Sequence, residues 1–204
     1  MTGVFQLESR VAQSTSRSLK PKRFEDIVAL VALIRPGPLG AGMHNEFADR
    51  ANNRKEIEYL HNDLESILNE TYGVILYQEQ VMQIAEKIAG FNLQEADNLR
   101  VAMGKKIPKV MEEQRKKFTD GAVSNNYSEQ FAIELFDQIA YFAGYGFNKS
   151  HSVPYALLAY QTAYLKANYP AEYIAACLTA VKRDKDRTAI FLSEARDMGV
   201  KVST

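Results

Sequence analysis

Lys149, Ser150 and His151 set an ammonium, a hydroxyl and an imidazole in three successive positions, a combination suited to holding an anion. They follow Gly144-Tyr145-Gly146-Phe147-Asn148 and precede Ser152-Val153-Pro154-Tyr155. The two glycines free the backbone to turn, and Ser152 as N-cap with Pro154 just inside the next element predicts that a helix begins here. The first turn of a helix exposes unpaired N–H groups and the positive end of its dipole, so phosphate is the anion that fits best. The alternative is an ordinary helix cap, with a surface lysine and a histidine hydrogen-bonded into the core.

A second group of cations, Arg100, Lys105 and Lys106, stands at another helix end, which a compact bundle could bring beside Lys149. Together they would neutralise a triphosphate, and a guanidinium can hold two phosphate oxygens at once. Lys109, Arg115, Lys116 and Lys117 lie just beyond and read as a solvated basic face or a loose contact with a nucleic-acid backbone. Tyr72, Tyr77, Tyr145 and Tyr155 either stack on bases or pack into the core with their hydroxyls at its rim.

A self-contained enzyme needs a nucleophile, a base and an orienting group, or a metal cluster. His44, His61 and His151 are far apart and in no metal-ligand spacing, and no nucleophile elbow or Walker-type loop is present. Asp26 and Glu79 could serve as catalytic carboxylates, but acids that cap or decorate helices are commoner. The chain carries no complete catalytic set.

The positioning elements are helical throughout. Arg10 to Arg23 is serine-rich and polar, either a basic helix or a connector. Phe24 to Ile34 is apolar on nearly every side and predicts a buried helix, stopped by Arg35-Pro36-Gly37-Pro38 and followed by a loose turn. His44 to Asn52 and Asp63 to Asn69 read as short helices. Val74 to Ala89 shows helical spacing capped by Gly90, and Leu93, Ala96, Leu99 and Met103 form one stripe closed by Gly104, with Arg100 leaning over its edge into a cleft. Pro108 opens a long basic helix to about Asn125. Ser128 caps the next, which carries Phe131, Leu135, Phe136, Ile139 and Phe142. The helix after the glycine loop is apolar almost all round, through Leu157, Leu158, Tyr160, Tyr164 and Leu165, and is expected to be the buried spine. Pro170 to Val181 and Asp184 to Met198 complete the set, with a brief strand signal at Val200-Lys201-Val202. The expected class is all-α, a compact multi-helix domain with few or no strands: a connector or edge over 1–23, a helical core over 24–199 and the start of a following segment at 200–204.

Across the 204 residues, 25 basic and 25 acidic side chains cancel, so overall charge announces neither a nucleic-acid nor a membrane partner. The charges are nonetheless segregated, basic over Arg10–Arg23 and Arg100–Lys117 and acidic over Glu56–Glu70. The single Cys177 excludes an intrachain disulfide and reads as core packing. With no membrane-spanning run and no signal-peptide pattern, a cytoplasmic protein is expected, and its two ends read as those of a piece excised from a longer chain.

Six runs, GVFQLES, FEDIVALVALIRPGP, ETYGVILYQEQVMQIA, LRVAMGKK, FAGYGFNKSHS and AYQTAYLKANYPAEY, closely resemble in order and separation the fingers of the bacterial replicative DNA polymerase III alpha family. The resemblance covers nearly the whole chain. It implies a helical fingers domain that closes over an incoming deoxynucleoside triphosphate, with the metal-binding aspartates and their Mg2+ in a separate palm, and no metal or cofactor in this segment. By that resemblance Arg100, Lys105 and Lys106 face the triphosphate, and Asn148, Lys149, Ser150 and His151 form the loop beside the nucleotide. Gln6, Glu8, Arg35 and Gln78 match motif positions that line the active site or nucleic acid. Implied partners are the dNTP, primer–template DNA, the palm and thumb, and, through the parent chain, the replication clamp and other holoenzyme subunits. Three departures stand out: Val101 replaces the second of two adjacent arginines, Val11-Ala12 replaces a glycine-methionine pair, and Val153-Pro154 replaces a small residue. The readings from other classes are a helical nucleic-acid-binding module built on the helix after Pro108, and an inert scaffold with an exposed apolar patch.

Overall fold

The serine-rich basic stretch near the start is a helix, α1 (Arg10–Leu19), capped by Ser9, whose Oγ accepts from the Ala12 N–H at 3.1 Å. It turns Ala12, Thr15, Ser16 and Leu19 inward. α2 (Phe24–Leu33) is buried continuously from Val28 to Leu33, as its unbroken apolar composition requires. Where a loose turn was expected, Pro36 instead opens a short helix, α3 (Pro36–Gly40). Proline fits there because the first helical residue has no N–H partner to lose. α4 (Met43–Ala51) adds Met43, Phe47 and Ala48 to the same core.

This computed structural model describes residues 1–105, 107–143 and 145–203, and among them twelve α-helices and two 3-10 turns occur with no strand. The fold class is all-α. Val200 to Val202 pairs with nothing as a strand among the described residues.

A second core is built by α5 (Glu65–Leu68), α6 (Gln78–Ala89), α7 (Leu93–Lys105), α8 (Pro108–Ser124) and α9 (Glu129–Ala143). Gly90, at φ +68°, ends α6 so that α7 folds back along it after a three-residue turn, bringing Val81, Ile84 and Ile88 against Ala96, Leu99 and Met103. α8 approaches α6 so closely at Gly121 that a Cβ there would overlap the carbonyl of Ala89. Ser128 caps α9 through the Phe131 N–H at 3.2 Å, and Leu135, Phe136 and Ile139 are buried.

Three expectations for this half need correction. α6 begins at Gln78, not Val74, because the Gln80 carboxamide accepts from the Leu76 and Tyr77 N–H groups, both at 2.9 Å, and holds 74–77 extended. In that extended stretch Val74 and Leu76 enter the first core and Ile75 the second, so four residues join the two. Leu93, assigned to the buried stripe of α7, is 69% exposed at the helix start. Gly104 lies inside the last turn of α7, one residue short of its end.

α10 (Lys149–Asn168) returns to the first core and packs along α2. α11 (Pro170–Val181) and α12 (Lys185–Asp197) form a small third core around Ile174, Phe191 and Ala195, tied back by the Lys166 ammonium, which donates to Thr2 O at 2.6 Å and to the Glu194 carboxylate. Cys177 is partly buried beside that third core. No helix among the described residues is long and apolar enough to cross a membrane.

The expected buried spine is only half buried. α10 faces α2 with Ser152, Ala156 and Ala159, while Leu157, Leu158, Tyr160, Tyr164 and Leu165 each keep 45–49% exposure. Small side chains allow the close helix contact, and they leave the large ones pointing away.

Candidate functional site

Asn148, not Ser152, caps α10: its Oδ1 accepts from the His151 N–H at 2.8 Å. Ser152 is fully buried, and its Oγ donates to Val28 O at 2.6 Å, pinning α10 to α2. Pro154 accordingly sits inside the helix. A carboxamide directly before Lys149 outcompetes the later hydroxyl because it can reach the free N–H of the third helical residue.

The start of α10 holds anions supplied by the protein. Both oxygens of Glu79, from the first turn of α6, accept from the Lys149 N–H at 3.0 Å. Both oxygens of Glu70 accept from Lys149 Nζ, at 2.8 and 2.7 Å, and that ammonium lies 5.6 Å from the ring centre of buried Tyr77. Burial, with Glu70 and Glu79 nearby, pushes the Tyr77 hydroxyl well above its ordinary pKa and keeps it neutral.

Glu70 is itself positioned from α2. Its carbonyl accepts from Arg23 Nη2 at 2.7 Å, and Arg23 Nε binds Asp26 Oδ1 at 3.1 Å. Tyr72 OH donates to the same Asp26 oxygen at 2.9 Å, and Lys22 N–H to the other at 2.9 Å. Burial alone would raise the Asp26 pKa, but hydrogen bonds from Lys22, Tyr72 and Arg23 outweigh it and hold the carboxylate below its usual range. Asp26 and Glu79, weighed above as catalytic acids or caps, both act as caps.

Phe147 gathers several motif residues. Its N–H donates to Leu76 O at 3.1 Å and its carbonyl accepts from Gln78 N–H at 3.0 Å, a single parallel bridge to Tyr77. The Arg35 guanidinium lies 4.5 Å above its ring, and His151 meets it at 5.6 Å. The ladder continues through Tyr155, 4.5 Å from His151, to Phe5, 5.5 Å further on. Tyr145 seats its ring on Gly37, where a Cβ would overlap it. Thus Arg35, Gln78, Asn148, Lys149 and His151 converge, although they come from three distant stretches. Ser150 is exposed next to them, and Gln6, at φ +61°, follows Phe5 at the ladder's far end.

The remaining candidates share no hydrogen bond, ion pair or ring contact with this cluster among the described residues. Arg100 is bound by Asp97 at 2.8 Å, and Lys105 is exposed at the end of α7. Because α7 folds back along α6, its last turn lies toward the end from which Gln78 and Glu79 start. Lys106 falls outside the described residues, as does Gly144 of the glycine loop. Glu8 pairs with Arg187 at 3.1 Å. Arg115 pairs with Asp137 and lies 5.7 Å from the Phe136 ring centre, Lys117 pairs with Glu95 at 2.7 Å, and Lys109 and Lys116 are exposed on α8. A cleft of about 1000 Å³ lies between α4 and α9, with Arg50, Tyr59 and Ile133 on its wall, and neither Arg100 nor Lys149 lines it.

Sequence reasoning missed Glu70 as a partner of Lys149 and Phe147 as the hub. The ETY run preceding α6 and the aromatic between Gly146 and Asn148 were visible, but no local spacing shows which distant helix an acid or a ring will meet.

Fold and site together define an all-helical module of two main cores in which the start of α10 is held by two carboxylates, Glu70 and Glu79. Residues 1–126 match the family model for the bacterial DNA polymerase III alpha subunit finger domain. Over 98% of its length the chain is 50% identical to DNA polymerase III subunit alpha of Mycobacterium tuberculosis, of Campylobacter jejuni and of Escherichia coli. It spans only 17–18% of the length of these relatives. The chain belongs to the bacterial DNA polymerase III alpha subunit finger-domain family.

Proposed function

We propose that this segment is the part of a template-directed DNA polymerase that grips the triphosphate of the incoming deoxynucleotide. The observation that carries the reading is the pair of carboxylates on Lys149: the start of α10 already favours negatively charged oxygens at a backbone N–H and an ammonium. Phosphate oxygens offer the same chemistry, so an entering triphosphate exchanges with Glu79 and Glu70. Asn148, Ser150 and His151 border that position, and the family resemblance adds Arg100, Lys105 and Lys106 as further cations for the same triphosphate. Val101 in place of a second arginine leaves one guanidinium there to bind two oxygens.

Phosphoryl transfer needs carboxylates for two metal ions, cations for the leaving pyrophosphate and an aligned primer hydroxyl. No group of three His, Cys, Asp or Glu side chains among the described residues could hold a metal. On this reading, which rests on the family resemblance, the Mg2+ ligands belong to a palm elsewhere in the parent chain, and this segment alone extends no primer. Primer–template DNA, the palm and thumb, and the clamp and holoenzyme subunits are partners of that parent, which acts in the cytoplasm. The rival nucleic-acid-module reading loses support because Arg115 and Lys117 on α8 are engaged by Asp137 and Glu95.

The test is steady-state primer extension by the full-length enzyme. Arg100→Ala and Lys149→Met each raise the nucleotide concentration for half-maximal rate about tenfold or more, the scale of a lost charge-assisted contact, while duplex affinity changes by less than about threefold. Equal losses in nucleotide and duplex binding overturn the assignment.

A further inference from the structure

Val153, Leu157, Tyr160 and Tyr164 follow one another at spacings of four, three and four residues, which places them in a single row along α10. They keep 39–49% exposure, and Leu158 and Leu165 widen the row on one side. From Ser150 to Leu165 there is no Asp, Glu, Lys or Arg. Helices that face water carry charge on that face, and a contiguous apolar surface of this kind marks an interface.

We infer that this face of α10 docks against another domain of the full-length polymerase chain. Three observations select that occupant. The relatives are several times longer than this segment, so most of such a polymerase lies outside it. A face without cations has nothing to offer a nucleic-acid backbone, whose binding rests on Lys and Arg. Tyrosine and leucine with charge excluded is the make-up of a permanently covered contact, and a domain on the same chain meets the face at high effective concentration. The inference concerns residues outside the nucleotide cluster and holds whether or not Lys149 binds phosphate.

A photo-reactive benzophenone side chain placed in turn at Val153, Leu157, Tyr160 and Tyr164 of the full-length polymerase reads out the occupant. Only variants that keep the helix content of the unmodified enzyme by circular dichroism are scored. Irradiation followed by peptide mass spectrometry is expected to give crosslinks at two or more positions to residues of the same chain outside this segment. Crosslinks between isotopically distinct copies identify a second copy as the occupant and overturn the inference. So do crosslinks to primer–template DNA, or none outside the segment from any of the four positions.

Discussion

α9 and α10 both carry many large apolar side chains, mainly phenylalanine and isoleucine in α9 and leucine and tyrosine in α10, yet they spend them in opposite directions. α9 buries Leu135, Phe136 and Ile139 among α6, α7 and α8, whereas α10 buries Ser152, Ala156 and Ala159 and presents Leu157, Leu158, Tyr160, Tyr164 and Leu165 outward. The difference shows what apolar content measures. It reports how much large apolar surface a helix carries, not which side its neighbours cover, and α2 covers only one side of α10. The largest effect that sharpens this contrast is Phe136→Ala. It empties a side chain that is 2% exposed and packed against Phe118, costing about 3–5 kcal/mol. Amide hydrogen exchange of α9 in the full-length enzyme should accelerate accordingly; a loss below about 1 kcal/mol would mean that the second core is loosely packed.

On the α10 side the corresponding sensitivity runs toward enlargement. Ala156 is 0% exposed against α2, next to the hydrogen bond from Ser152 to Val28, so Ala156→Leu forces the helices apart at a cost of about 2 kcal/mol. Faster exchange confined to α2 and α10, with α6 to α9 unchanged, is the expected pattern. Uniform acceleration across both cores would dissolve the distinction between them.

Acid offers a milder break between the two regions. Asp26 has a depressed pKa in the folded state, so its contribution is present above the ordinary carboxylate range and fades as pH falls through its folded value. Below about pH 4 the first core should therefore loosen around α2. Asp26→Asn weakens charge-assisted bonds from Arg23, Tyr72 and Lys22 by about 1–2 kcal/mol at neutral pH and flattens that acid dependence. Exchange at α2 measured from pH 7 to pH 3 checks both statements; an unchanged slope in the variant would remove Asp26 as the cause.

Much of this was legible because it depends on neighbours in sequence. The all-α class, the caps at Gly90, Ser128 and Asp184, and the buried stretch of α2 follow from local spacing and turn chemistry. The start of α6 was not legible, because Gln80 folds back on Leu76 and Tyr77 and overrides a helical period. At the candidate site the cationic run Lys149-Ser150-His151 and the motif positions Arg35 and Gln78 could be read directly. Their convergence on Phe147, and the hold of Glu70 and Glu79 on Lys149, are long-range facts that no spacing encodes.

The smallest predicted effect tests whether exposure alone separates the two kinds of apolar residue. Leu93 and Leu99 belong to one periodic stripe of α7, but Leu99 is 0% exposed within the second core and Leu93 is 69% exposed at the first helical turn. Polar Gln94 and Glu95 follow Leu93 directly in the first turn, and Glu95 is itself bound by Lys117. A solitary exposed leucine is common on protein surfaces and needs no cover, unlike the uncharged row on α10. Leu93→Ala should therefore change α7 exchange by less than about 0.5 kcal/mol, while Leu99→Ala costs about 2–5 kcal/mol. If the two substitutions cost the same, Leu93 is also buried in the full-length chain, and the covered surface extends from α10 to the second core.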